Sequence, residues 1–280
     1  MKLAYCTWGM PQVPIDTALE HIAHVGFDGV EIAVIHGFTT ELDTLDAAER
    51  VRIRDLVDQH GLELTAVAGH QSLLSRDEEA HAEAWRRLTG SVDLCVDWAG
   101  PDGPPPLVSV VGSGPGDWEN HRDFMLERLG TLVEYCEAHQ VVLALEPHVG
   151  DGMTELPKVV ELMKLVDSPW CRLNFDISHF EVVGIPTEET VKALTPYAVH
   201  THVKDQRGLE PDFDFLIPGE GDFDYVAYLK AMDRAGYSGY ISAEVSMQVH
   251  RRPDYDPLAA ATLTYETLDS AFRTAGLPRE

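Results

Sequence analysis

Four residues at the ends of apolar runs carry the first chemical signal in this chain. Glu146 follows Val141-Val142-Leu143-Ala144-Leu145, Asp176 follows Leu173-Asn174-Phe175, His202 lies within Ala198–Val203, and Glu244 follows Tyr240-Ile241-Ser242-Ala243. A carboxylate that ends a buried strand cannot stay ionised without a partner, so it calls for a cation or a proton. Taken singly, such a residue is more often a helix N-cap or one half of a surface ion pair. Four of them on consecutive strands are hard to assign to capping and would converge on one point. Three carboxylates and one imidazole form an oxygen-rich set for one divalent ion. It suits Mn²⁺ first, then Co²⁺ or Mg²⁺, and it tolerates Zn²⁺.

These residues need a frame that brings strand ends together. Short apolar runs alternate with helical patterns along the chain, which points to a parallel sheet. The strands are predicted at Leu3–Cys6, Gly29–Ala33, Glu63–Ala68, Leu107–Val111, Val141–Leu145, Arg172–Phe175, Ala198–His202 and Gly239–Ala243. Helices are predicted at Ile15–Val25, Asp46–His60, Glu78–Val96, Glu119–His139, Glu155–Val166, Glu188–Leu194, Phe223–Ala235 and Pro257–Ala275. Gly26, Gly61, Gly236 and Gly276 sit where a left-handed helix stop belongs. Eight strand–helix pairs without a large insertion make a (β/α)8 TIM barrel the economical fold, as one domain over residues 1–280. An open doubly wound sheet would carry a Gly-rich phosphate loop after its first strand, and Thr7-Trp8-Gly9-Met10-Pro11 is not one. Gly100–Pro106 reads as a rigid loop from helix to strand.

Composition excludes several classes. A length of 280 residues fits one such barrel, and an apolar fraction of 44% is ordinary for a folded protein. A formal charge of −26 repels phosphate backbones and anionic membranes, so neither nucleic acid nor membrane is an expected partner. No apolar run is long enough for a membrane span, and Met1–Trp8 does not read as a signal peptide. Cys6, Cys95, Cys136 and Cys171 form no paired spacing, which suits buried free thiols in a reducing cytoplasm.

At these motifs the chain resembles a known family, the xylose-isomerase-like barrels of sugar isomerases and epimerases, to which endonuclease IV is related. The resemblance spans essentially the whole chain. Its carriers are Gly26-Phe27-Asp28-Gly29-Val30-Glu31-Ile32, Leu145-Glu146-Pro147, Asp176-Ile177-Ser178-His179, His202-Val203-Lys204-Asp205, Pro218-Gly219-Glu220-Gly221-Asp222-Phe223 and Ala243-Glu244-Val245. By this resemblance Glu146, Asp176, His202 and Glu244 would be the metal ligands, and His179 would contact substrate oxygens beside the ion. Endonuclease IV holds three zinc ions with further histidines after strand four and strand seven. Val110-Val111-Gly112-Ser113 and Asp222-Phe223-Asp224 contain none, so DNA repair is not expected. Tagatose- and psicose-type 3-epimerases place a substrate-binding arginine shortly after the strand-seven histidine; Arg207 stands close to that position, displaced by one.

Other residues have two readings each. His148 shares the parity of Glu146 and is either a base or substrate contact or a hydrogen-bonded structural histidine. His70 closes strand three and is expected to face the substrate. Trp8 would stack on a sugar ring or plug the barrel. Glu31 is expected to pair with Lys204 or another interior cation, with Lys204 in an ion pair rather than a Schiff base. His250-Arg251-Arg252 reads as a solvated loop.

The chemistry these residues suggest is proton transfer beside a carbonyl through a metal-stabilised enediolate, with Glu146 and Glu244 as base and acid on opposite faces of a sugar. The same site would serve a lyase if a β-substituent left before reprotonation. Inosose dehydratases and the deglycosidases of 3-keto C-glycosides are relatives of that kind, and His148 would then be an additional base. A non-catalytic sugar-binding or partner subunit would be expected to have lost a ligand, and the set is intact. The expected partner is an unphosphorylated sugar, with a homo-oligomer or hetero-oligomer open.

Overall fold

The computed structural model describes residues 1–112, 118–150 and 153–279. Ser113, which ends the histidine-free run after strand four, and Glu280, the last residue of the expected domain, lie outside the described residues. In chain order the elements are β1 (Lys2–Cys6), α1 (Ile15–Val25), β2 (Gly29–Ala33), α2 (Ala47–Gln59), β3 (Glu63–Ala68), α3 (Glu78–Asp97) and β4 (Leu107–Val110). Then follow α4 (Trp118–His139), β5 (Leu143–Glu146), α5 (Leu156–Val166), β6 (Cys171–Asp176), α6 (Ser178–Glu181), α7 (Thr187–Leu194) and β7 (Ala198–Val203). The chain continues through β8 (Asp205–Leu209), β9 (Asp212–Leu216), α8 (Tyr225–Arg234), β10 (Tyr240–Ala243), α9 (Met247–His250) and α10 (Pro257–Ala275). Eight strands close in the order β1-β10-β7-β6-β5-β4-β3-β2, all parallel, which is the (β/α)8 barrel.

Strand alternation sorts the side chains into two layers. Leu3, Tyr5, Ile32, Val67, Leu143, Leu173, Phe175 and Ile241 face the helices and belong to the main core. Inside the barrel the apolar residues are small, forming the separate clusters Cys6, Ala33, Ala68 and Ala66, Val108, Ala144. The other interior positions are polar. Glu31, Glu146, Asn174, Asp176, His200, His202 and Ser242 are all at most 2% exposed. Small residues on one side of the bore leave room for these larger polar groups on the other.

Two expectations need correction. β5 starts at Leu143 rather than Val141, because the Val141 N–H still bonds the Cys136 carbonyl beyond the end of α4 (3.0 Å), and the strand runs on to include Glu146. The expectation of no large insertion fails between β7 and α8, where β8 and β9 form an antiparallel hairpin. Its signal was Asp212-Phe213-Asp214-Phe215, a short alternation hidden among turn residues.

The hairpin is anchored by one carboxylate. Asp205 Oδ2 accepts from the Gly219 and Gly221 N–H groups (2.8 and 3.0 Å), and Oδ1 accepts from Gln206 and Phe223 (2.9 and 3.1 Å). A Cβ on Gly221 would lie 2.2 Å from Asp205 Oδ1, so the turn Pro218–Phe223 requires glycine there. Asp205→Ala would strand buried donors and should lower stability by about 2–4 kcal/mol. Urea denaturation measures this; a loss below about 0.5 kcal/mol would show that the carboxylate does not hold the turn.

Candidate metal centre and substrate cavity

The interior polar residues gather at the C-terminal ends of β5, β6, β7 and β10. Register places Asp176 beside His202 and His202 beside Ser242, so their strands deliver side chains at one level. One donor atom from each of Glu146, Asp176, His202 and Glu244 lies within 4.8 Å of the other three, and all four residues are buried. The His202 Nδ1 faces this centre, 3.4 Å from Glu146 Oε1 and 3.8 Å from Glu244 Oε1. Both oxygens of Glu146 are buried without a hydrogen-bond partner, as are Nε2 of His70, His148 and His179. An oxygen-rich donor set with orphaned atoms turned inward fits a divalent cation.

Lys204 already brings positive charge to this point. Its ammonium donates to Asp176 Oδ2, lies 2.6 Å from Glu244 Oε2 and is 3.7 Å from Glu146 Oε1. Burial on its own would raise the Glu146 pKa, but the neighbouring His148, His202 and Lys204 hold it well below the usual carboxylate range. Burial likewise opposes protonation of His202, yet Glu31, Glu244 and Glu146 outweigh it and raise its pKa well above that of free imidazole.

A cavity of about 440 Å³ opens above the centre, and Trp8, His70, His148, His179, Lys204 and Glu244 line it together. His70 stands 3.7 Å from Glu146 Oε2 and 3.8 Å from Glu244 Oε1, with the Trp8 ring 4.8 Å away. The His70 backbone has φ of 29°, a strained conformation for a non-glycine residue and one that recurs at functional sites. His148 Nε2 lies 3.4 Å from Glu146 Oε1, and its ring is 4.0 Å from that of His179. The His179 Nδ1 accepts from the Val149 N–H (3.3 Å), so the neutral ring carries its proton on Nε2. That nitrogen faces Asp176 Oδ2 at 3.4 Å and Glu146 Oε1 at 3.6 Å. Burial and the nearby His148 bring the His179 pKa down to about 4.

Not every expected residue reaches the cavity. Arg207, expected to bind substrate, is turned outward: it donates to the Glu220 carbonyl (2.7 Å) and approaches Asp222 at 3.4 Å. The reason is the parity of β8, which places Arg207 on the solvent side of the hairpin. Glu31 pairs with His200 and His202, while Lys204 turns to the upper carboxylates. The segment after β10 forms the short helix α9, and Arg252 pairs with Glu220 at 2.7 Å. Sequence reasoning missed Phe213 and Phe215 of the hairpin, which wall the cavity, and His200 beneath it. His200, His202 and Lys204 alternate along β7 and the residue just after it, a signal that was present.

Residues 19–265 match the family model described as xylose isomerase-like TIM barrel. The chain is 24% identical over 231 residues to inosose dehydratase of Salmonella typhimurium, covering 77% of this chain and 69% of that protein. It is 23% identical over 268 residues to fructoselysine 3-epimerase of Shigella flexneri, covering 90% and 93%. Among solved structures, the crystal structure of the IOLI protein with a binding zinc atom matches with a TM-score of 0.80 and 21% identity, covering 98% of this chain and 99% of that one. Likeness at that identity establishes the shared fold.

Lys204→Met should lower the stability of the metal-free chain by about 3–5 kcal/mol, because buried carboxylates lose their cation. Added Mn²⁺ should recover most of the loss and raise Tm more in the variant than in the wild type. Thermal melts with and without Mn²⁺ check this; equal metal-free Tm values would show that the ammonium is not needed there.

Proposed function

The chain belongs to the xylose isomerase-like TIM barrel family, and on that premise we propose that it is a divalent-metal-dependent isomerase or epimerase of a keto-sugar. The observation that carries this reading is the convergence of Glu146, Asp176, His202 and Glu244 below a cavity walled by histidines. A divalent ion held by these four, Mn²⁺ by preference and otherwise Mg²⁺, Co²⁺ or Zn²⁺, would stabilise negative charge developing on a carbonyl oxygen.

The protein's own groups supply the rest. Glu146 and Glu244, from β5 and the end of β10, flank the cavity floor and serve as base and acid for a carbon-bound proton. His179 offers its Nε2 proton to substrate oxygen, and His70 and Trp8 hold the sugar against the opposite wall. Among the described residues Lys204 is the only lysine or arginine lining the cavity, and carboxylates already surround it. A site without a free cation suits an unphosphorylated substrate. The buried free thiols suit a cytoplasmic setting.

A lyase is the second reading, favoured by one feature. His148 lies 3.4 Å from Glu146 and lines the cavity, where a base that assists loss of a β-substituent would stand. A substrate panel in deuterated water with Mn²⁺ separates the outcomes. Solvent deuterium at a sugar carbon of an isomerised product supports proton transfer, release of water or an aglycone identifies the lyase, and neither result across the panel removes both.

Glu146→Gln and Glu244→Gln should each abolish turnover while keeping the fold, and near-normal activity in either would exclude that residue as essential. His148→Ala should cost about 10-fold in an epimerase, but on the order of 10²–10⁴-fold in kcat for a lyase that uses it as base.

A further inference from the structure

Beneath the cavity, Glu31 spans the bore of the barrel. It comes from β2, while its partners come from β7 and β10, on the other side of β1 in the strand order. Its Oε2 lies 2.7 Å from His202 Nε2, 2.9 Å from His200 Nε2 and 3.3 Å from Ser242 Oγ. Glu31 is 0% exposed, as are His202 and Ser242, and His200 is 2% exposed.

The two nitrogens of His202 therefore face different carboxylates. Nε2 points down to Glu31, and Nδ1 points up to Glu146 and Glu244. A carboxylate can only accept, so the short Nε2···Oε2 contact fixes a proton on Nε2. When a cation among the upper carboxylates takes the place of a proton on Nδ1, the Nδ1 lone pair is the one that faces it. A negative charge behind a ligating imidazole also makes that imidazole a better donor.

We propose that Glu31 is a positioning residue for the metal centre, holding His202 in orientation and tautomer through Nε2 while His200 holds Glu31. The role rests on the metal-centre reading above. It accounts for a fully buried carboxylate that does not line the cavity, where burial alone would make a glutamate unfavourable. It also accounts for the spacing of His200 and His202, which puts both rings on one face of β7.

The competing assignment is that Glu31 is itself a ligand. Cys6, Glu31 and His202 also bring donor atoms within 4.8 Å of one another, and Glu31 Oε1 has no hydrogen-bond partner. Metal analysis and affinity measurements distinguish the two. The wild-type chain should bind about one Mn²⁺ or Zn²⁺. Glu31→Gln keeps the size and one acceptor but removes the charge, and it should weaken metal affinity by about 10-fold; Glu31→Ala should weaken it by up to about 100-fold. Glu31→Asp should bind more tightly than Glu31→Ala. In the zinc-loaded wild type, ¹⁵N spectra should show the His202 proton on Nε2 and protected from exchange, and that protection should fall in Glu31→Gln.

Binding by Glu31→Gln within about twofold of wild type, with unchanged His202 spectra, overturns the role. Two ions per chain, one of them lost in Cys6→Ser, overturns it in favour of a second metal site. A wild-type chain that takes up no divalent ion removes the metal-centre reading and this role with it, whereas a loaded wild type with an equally loaded glutamine variant removes this role alone.

Discussion

The structure depends on pairing four carboxylates that are buried inside a closed barrel. Glu31, Glu146, Asp176 and Glu244 are all at most 4% exposed, and an isolated buried carboxylate is too costly to persist. Each must therefore find positive charge from another strand. At an effective dielectric of 20, two unit charges 4 Å apart interact by about 4 kcal/mol, so a few well-placed cations decide the balance. Lys204, just past the end of β7, supplies positive charge to Glu146, Asp176 and Glu244, and His202 of β7 reaches Glu31 below and Glu146 and Glu244 above. The demand for counter-charge thus ties β2, β5, β6, β7 and β10 together across the bore, and the small residues of the remaining strands make space for it.

This arrangement works only if Lys204 and its neighbours are held still. The residue after Lys204 is Asp205, fixed by four backbone amides, and the Lys204 carbonyl accepts from Tyr225 Oη at 3.2 Å. The hairpin that begins there brings Phe215 over the site, with its ring 5.3 Å from His179 and 5.7 Å from the Lys204 ammonium. An apolar wall beside charged groups excludes water and strengthens every electrostatic contact beneath it. The same few residues anchor the hairpin, shape the cavity and set the position of the ammonium.

Local signals explain what the sequence made legible. α1, α10, β2 and β3 have the ranges that periodicity and their flanking residues predict. Gly26, with φ of 111°, ends α1 where a side chain would strike Tyr265, so that boundary is written in one residue. Glu146, Asp176, His202 and Glu244 could be brought to one level because strand parity and strand order suffice for that. The hairpin's one signal, the alternation Asp212–Phe215, is hidden among turn residues, and the direction of Arg207 follows from the parity of β8 only once the hairpin exists; the contact that anchors it joins Asp205 to a turn fourteen to eighteen residues later and leaves no local trace. Glu31 was seen as an interior acid, but its partner depends on the closure of the barrel, which brings β2 within reach of β7 past β1 and β10. No spacing within either strand records that.

The two carboxylates proposed for proton transfer differ in their access to solvent, and this bears on what the site can do. Glu146 is fully buried and can exchange a proton with water only through a neighbour. His148 is that neighbour: its side chain is 35% exposed and 3.4 Å from Glu146 Oε1. Burial disfavours its charged form, but the Glu146 charge outweighs this and raises its pKa above the usual imidazole value. Its proton is thus held toward Glu146 from the solvent side. Glu244 lies on the cavity wall beside Lys204, whose ammonium faces it. One of the two carboxylates therefore stands beside a partly exposed imidazole, and the other beside an internal cation. Such asymmetry suits a reaction in which a proton taken on one face need not be the proton returned on the other.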